Sequence, residues 1–453
     1  MIKKMFVMCS ILSFVSNSYA MDLHDALSNA YKTNQDIKNA QQKFLIESES
    51  FVQALGSFLP DVNFQVSTQS SKVTNKSQYS NAPIANNGPN VSRTLSVSQN
   101  LFKGGQSTMA LKMAQEQFNQ IRAVLYDSEQ KVLLESLKAY LALCSAQLKY
   151  DIANDTLVSY KQSLDTATEQ MKVGEATLTD VSAARASYLK AQADKSNAYA
   201  NLVSSKANFK DVIGKDPDDE INFPSAPEGI PEDFEGFNKF VAKSNFALIA
   251  RNSELKQAKD TVKYSMGALL PSADLTLQNT RNYYSSPGVS QSGANNNVFS
   301  TSVSLTVPIF SRGGAAHSQV RQSKAKARIA AYTMDSTKNS VAAQSIALWE
   351  QYNASKDSVV FADEAIKAKE IALEGVRSEH SVGTKTMLEV LRQQDEFNNA
   401  RSQAVDIKQN YINIAYQMKA FMGQMTAKKL KLNAQYFEPE LEYRNLKHKV
   451  VGF

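Results

Sequence analysis

Two short stretches repeat one spacing of chemically useful residues. "VGEATLTDVSAA" runs from Val173 to Ala184, and "VGTKTMLEVLRQ" from Val382 to Gln393. Each has Val-Gly, a short polar run, Leu or Met, and an acid before Val. The acid is Asp180 in the first stretch and Glu389 in the second. A Gly174 or Gly383 turn carries no bulky side chain, so another backbone can approach it closely. The second stretch also carries Lys385 and Arg392, with His380 just before it. Arg392 follows Glu389 at i+3, so on a helix the two share a face and can pair. This is charge and contact chemistry, not bond-making chemistry.

Signals for catalysis are missing. There is no GxSxG, no HExxH and no Cys/His cluster. "GTKT" at Gly383 lacks the first glycine and the Gly-Lys pair of a phosphate loop. His24, His317, His380 and His448 are scattered, and none is at metal-ligand spacing from a carboxylate. The reading is a non-enzyme with no cofactor and no metal. Net charge is +6 and interspersed, falling to +4 without Lys3 and Lys4. That argues against nucleic acid.

The elements that must position these residues begin after a leader. Lys3 and Lys4, the apolar "MFVMCSILSFV" and the small-residue site "SYA" read as a signal peptide over residues 1–20. Cys9 leaves with it, and the remaining Cys144 is expected to be a small buried hydrophobe. No later run is apolar enough for a transmembrane helix. The exported chain is therefore soluble outside the inner membrane, or crosses a membrane as β-strands.

The chain is written twice. "FLPDVNFQVSTQ" at Phe58 matches "LLPSADLTLQNT" at Leu269, at an offset of 211 residues. The Gly-Gly pairs at Gly104 and Gly313, the Val-Gly pairs, and Gly214 with Gly423 all share an offset of 209. Each copy opens with a helical stretch that stops at Leu-Pro (21–60 and 240–270). Two alternating strands follow (61–102 and 271–310), joined by polar loops such as "TNKSQYSNAPIANNGPN". From Phe299 to Ile309 one face is apolar and the other hydroxylated. After Gly-Gly come long stretches rich in helix formers, 103–214 and 311–423, with hairpin tips at 173–177 and 382–386. Leu133, Leu137, Tyr140, Leu141 and Cys144 mark a buried stripe. Residues 215–239 read as an acidic, Pro-rich linker or equatorial segment, and 424–453 as an irregular tail.

Four strands cannot close a barrel, since small barrels need about 8. An apolar outer face with free edges is not stable in lipid. Oligomerisation is required, and a hydroxyl-lined, water-filled lumen favours 12 strands from three chains. The fold expected is mainly α with a β-barrel segment. Long α-helical hairpins would form a periplasmic α-barrel, and four strands per chain a trimeric 12-stranded transmembrane barrel. The competing reading is a non-conducting structural or adhesive coiled-coil protein of the envelope.

Leu-Pro before a strand, "VPIFSRGG" into a long helix, and the paired "VGEATLTDVSAARA" and "SVGTKTMLEVLRQQ" tips resemble the TolC family of outer-membrane efflux proteins. The resemblance covers essentially the whole mature chain. It implies a homotrimer in outer-membrane lipid of a Gram-negative bacterium, with a large periplasmic portion. It implies a passive exit duct for efflux or type I secretion. Such a duct docks a periplasmic adaptor (membrane fusion) protein and an inner-membrane pump of RND or ABC type. Val173, Gly174, Val382 and Gly383 would seat the adaptor's tips. Glu389 matches the outer acidic ring of the periplasmic entrance constriction, and Arg392 stands where the inner ring is usually acidic. Asp180 and Lys385 match a gate network, with His380 replacing its aromatic member. Three copies of Glu389 around a narrow axis would repel one another, attract cations and raise their own pKa values.

Overall fold

The computed structural model describes residues 21–77, 80–218, 221–284, 296–310 and 312–446. The expected leader over 1–20, residues 285–295 of the loop expected between the second copy's two strands, and the last residues (447–453) lie outside the described residues. The chain divides into two compact units.

One unit comprises residues 39–127, 243–342 and 437–453. Its centre is an antiparallel sheet of β1 (Asp61–Ser77), β2 (Ser80–Lys103), β3 (Ser272–Tyr284) and β4 (Asn296–Thr306), in that order. The pairing of β2 with β3 joins the first copy to the second, and β1 and β4 are the sheet's edges. Residues opposite one another keep their faces. Val62 stands across from Val97, which stands across from Leu277. Thr94 and Thr280 meet at 3.3 Å on the other face.

The first polar loop is not a loop. Residues 74–77 continue β1, and Ser80 onward belongs to β2, with Ser77 opposite Ser80. Backbone pairing outweighs the turn-like composition. Pro83 and Pro89 fit because, among the described residues, only β1 lies beside β2 there, and a missing N–H is tolerated on the unpaired side. The last strand is shorter than its alternation suggests. It ends at Thr306, before Pro308, which has no N–H for the ladder.

Helices of this unit are most of α2 (Gln35–Gly56) and all of α6 (Phe246–Gly267), with parts of two long helices, α3 (Gln106–Lys172) and α7 (Ala315–Ser381). Each long helix has 67 residues, or about 100 Å at 1.5 Å per residue. The chain after 436 is not irregular throughout. Pro439–Leu446 form α9, starting with proline at the first helical position, where no donor is lost. Phe437 and Tyr443 pack on Phe44 and Phe118, and Glu440 pairs with Arg122 at 2.8 Å.

The other unit comprises residues up to 38, 128–242 and 343–436. It holds α1 (Leu23–Thr33), α4 (Leu178–Ile213), α5 (Phe234–Ser244), α8 (Met387–Phe421) and the rest of α3 and α7. The expected stripe is its core. Leu133, Leu137, Tyr140, Leu141 and Cys144 are buried against α1, Phe209, Ile213 and Ile412. Fully burying each aliphatic or aromatic side chain is worth about 1.5–3 kcal/mol. The Tyr140 hydroxyl donates to the Met21 and Asn222 carbonyls. Burial pushes the Cys144 thiol up to about 12, so it packs as a hydrophobe.

The opening helix of each copy is broken by an asparagine. Asn34 Oδ1 accepts from Asp36 N at 2.8 Å, and Asn245 Oδ1 accepts from Ala247 N and Leu248 N. Each break is therefore a cap that starts a new helix. The linker is also partly helical. Asp233 accepts from the Gly236 and Phe237 amides, and α5 then buries Phe237 against Trp349.

Candidate functional site

The two Val-Gly stretches are the turns of helical hairpins, α3 to α4 and α7 to α8. Gly174 has φ +83° and Gly383 φ +80°, the left-handed region. Glu175 N donates to Gln170 O, and Gly174 N to Met171 O. Thr384 N donates to Glu379 O, and Gly383 N to His380 O. Both are 6→1 and 5→2 closures that satisfy the last carbonyls of a helix. A side-chain carbon added at either glycine would meet nothing within 4 Å. The glycines are thus required by backbone angle, and their surroundings are open. Val173 and Val382 stand on the outside of the turns, 71% and 73% exposed.

The acids have a local task that sequence reasoning missed. Thr177 and Asp180 form a capping box at the start of α4, and Thr386 and Glu389 form the same box at the start of α8. Asp180 N donates to Thr177 Oγ1, while Asp180 Oδ2 accepts from Thr177 N at 3.0 Å. Glu389 Oε2 likewise accepts from Thr386 N at 3.0 Å. The T-x-x-D and T-x-x-E patterns were the available signal. The hydrogen bonds to Thr177 hold the Asp180 carboxyl below its ordinary range, with a smaller pull from His380. The Thr386 amide, then the Lys385 ammonium, hold Glu389 low as well. Within one chain the acid is stabilised in its charged form, opposite to the effect expected from three clustered copies.

The expected pairing of Glu389 with Arg392 is not formed. Glu389 Oε1 accepts from Lys385 Nζ at 3.2 Å instead. The capping geometry turns its carboxylate back toward residues 385 and 386 and away from the next turn. Exposed Arg392 adds a smaller electrostatic pull to that of Lys369 in holding Glu396 low.

His380 contacts Lys385 and lies within electrostatic reach of Asp180. His380 Nδ1 lies 2.9 Å from the Lys385 carbonyl. A carbonyl only accepts, so Nδ1 is the donor in this contact. Nε2 is buried and has no partner among the described residues. His380 thus clasps its own turn while acting electrostatically on Asp180 of the other hairpin.

A further tie was not anticipated. The Tyr160 hydroxyl of α3 donates to Asp395 Oδ1 of α8 at 2.6 Å, and Lys190 Nζ of α4 lies 3.6 Å from Asp395 Oδ2. Burial, then Asp395, raises the Tyr160 phenol, so it remains a donor. Tyr160 sits in a core with Ala167, Ala184, Met387, Val390 and Leu391. Its hydroxyl partner, 235 residues away, leaves no local pattern in the sequence.

Among the described residues no cluster of His, Cys, Asp and Glu has the makings of a metal site. No described helix is long and apolar enough to cross a membrane.

Comparison with known proteins places this architecture. The Outer membrane efflux protein family matches residues 26–215 and 241–424, one segment per copy. Outer membrane efflux protein BepC of Brucella suis is 26% identical over 95% of this chain and 91% of its own. Outer membrane protein TolC of Escherichia coli is 24% identical over 93% and 86%. The crystal structure of the Campylobacter jejuni CmeC outer membrane channel superposes with a TM-score of 0.76 at 16% identity, covering 95% of this chain and 90% of that one. With most of its length matched in two successive segments, the chain belongs to the outer membrane efflux protein family.

Proposed function

We propose that three copies of this outer-membrane channel protein close one passive exit duct, for a tripartite efflux pump or a type I secretion system. The observation that carries the reading is the unfinished repetition within one chain. The β2–β3 pairing joins copy one to copy two, and β4 and β1 are left as edges in the corresponding places. A neighbour's β1 on β4 repeats the internal junction, and three chains make 12 strands.

The glycines repeat the argument. A side-chain carbon on Gly104 would lie 2.1 Å from the Gly267 carbonyl oxygen, so the junction needs both to be small. Their counterparts in the repeat, Gly313 and Gly56, meet nothing within 4 Å. Gly313 of one chain would face Gly56 of the next. The test is native mass with single-channel recording. The wild type is expected as a conducting trimer, and Gly56→Val is expected to lower the trimer fraction about tenfold while leaving the helical content of the chain unchanged. A monomeric or non-conducting wild type, or an unaffected Gly56→Val trimer, would refute the reading.

At the periplasmic end, exposed Val173, Gly174, Val382 and Gly383 would receive an adaptor protein carrying an RND or ABC pump. Glu389 and Arg392 would line the entrance constriction, and Asp180, His380 and Lys385 would hold it shut. The duct performs no bond chemistry, and the pump supplies the energy. Cross-linking from cysteines at 174 or 383 should capture adaptor and pump together. Capture from neither position would remove the docking assignment.

A further inference from the structure

Two arginines lie on the wrong face of the sheet. The apolar face carries Val62, Phe64 and Val66 on β1, Val97 and Leu95 on β2, Leu275 and Leu277 on β3, and Phe299, Val303 and Leu305 on β4. Period-two alternation puts Arg93 on this face, two residues beyond Leu95. Arg281 is on it too, four beyond Leu277, and is directly opposite Arg93 in the β2–β3 register. Like charges facing each other across a ladder are destabilising. Both side chains are exposed. Among the described residues the arginines seen in ion pairs are Arg122, Arg251 and Arg401, not these two. The Arg93 guanidinium rests 5.1 Å from the centre of the Tyr283 ring, which shares the face.

Their height is informative. Arg281 is eight residues from Ala273, where the apolar face begins. That is roughly 27 Å along a strand, or roughly 20 Å of height at the usual barrel tilt, close to the top of an apolar band of about 25 Å. At this level and just beyond it polar and interfacial side chains join the face, with Asn297 opposite Arg281 and Thr68, Val91 and Tyr283 in the next row. On the reading that this sheet enters an outer-membrane barrel with its hairpin turns outward, the pair sits at the outer headgroup level.

The geometry points to a lipid phosphate site: Arg93 and Arg281, flanked by Tyr283, bind the phosphate monoester of a glycolipid in the outer leaflet. Two guanidinium forks a cross-strand distance apart, about 5 Å, match one phosphate with bidentate contacts from each side. The anion removes the repulsion between them. An aromatic ring beside them suits the interface, where one edge meets acyl chains and the other meets polar sugar. The outer position favours a glycolipid over the phospholipid of the inner leaflet.

The test is native mass spectrometry of the full-length trimer with lipid A, dephosphorylated lipid A and phosphatidylglycerol. The wild type is expected to retain lipid A at least tenfold more than either other lipid. The Arg93→Gln/Arg281→Gln double variant is expected to lose that preference. Equal retention by the double variant, or equal retention of dephosphorylated lipid A, would overturn the site. Equal retention of phosphatidylglycerol would overturn its glycolipid assignment. Single-channel conductance of the same samples separates the two readings. A conducting wild-type trimer without phosphate preference sinks only this site, whereas a chain that forms no conducting trimer sinks the duct and this site with it.

Discussion

The two hairpin tips descend from one duplicated segment, yet they have diverged in what they bury. Both close with a left-handed glycine and start the next helix with a capping box. At the first helical position of α4 stands Leu178, 72% exposed. Its counterpart in α8 is Met387, 5% exposed and packed with Val390 and Leu391. The first tip spends its apolar side chain on the surface, where a partner can use it. The second turns it inward and gathers Lys385, Glu389 and His380 around the turn. Identical backbone closure therefore carries two different surroundings, one exposed and one packed.

The largest effect should come from the packed position. Met387→Ala is expected to cost about 2–4 kcal/mol, measured by thermal or denaturant unfolding. Leu178→Ala should stay within about 0.5 kcal/mol while weakening adaptor cross-linking. Equal stability losses at both sites would erase the contrast. Next come the caps. Thr177→Ala and Thr386→Ala should each cost about 1 kcal/mol locally, seen as hydrogen exchange about fivefold faster in the first turn of α4 or α8. Here the tips should behave alike, and a cap effect at only one of them would show that the boxes are not equivalent.

Charge effects are smaller and separate the tips again. Asp180 and Glu389 are both held below their ordinary range in the folded chain. A lowered folded value means the acid adds stability above the ordinary carboxylate range and loses it as pH falls through the folded value. Both tips should hold at pH 5 and fray below about pH 4. Glu389 also leans on the Lys385 charge, so salt should loosen the second tip more than the first in pulse-labelled hydrogen exchange. The smallest expected change is in ion selectivity. Arg392→Asp should raise the preference for cations in planar bilayers. No change in selectivity or cation block would take Arg392 out of the pore lining.

Much of this molecule was legible because repetition and periodicity are local properties. The offset glycines, the buried α3 stripe and the alternating strands all follow from chain spacing. The ends of elements were less legible, because tertiary contacts settle them. Residues 74–77 and 80–90 look like loop and pair as strand, while Asp233 hides a helix start inside acidic sequence. At the site, Glu389 and Arg392 share a helical face, but the capping box claims the glutamate first. The spacing rule puts them on one helical face and is silent about competition. Tyr160 with Asp395 shows the limit most clearly, since no local pattern links residues so far apart in the chain.

The central claim is that the second tip locks the duct through His380, which clasps the Lys385 carbonyl and acts on Asp180 of the other hairpin. Single-channel conductance of His380→Ala against wild type tests it most directly, because this change spares both capping boxes. A several-fold higher conductance in the variant, with the trimer intact, is the predicted result. An intact His380→Ala trimer with wild-type conductance would contradict it.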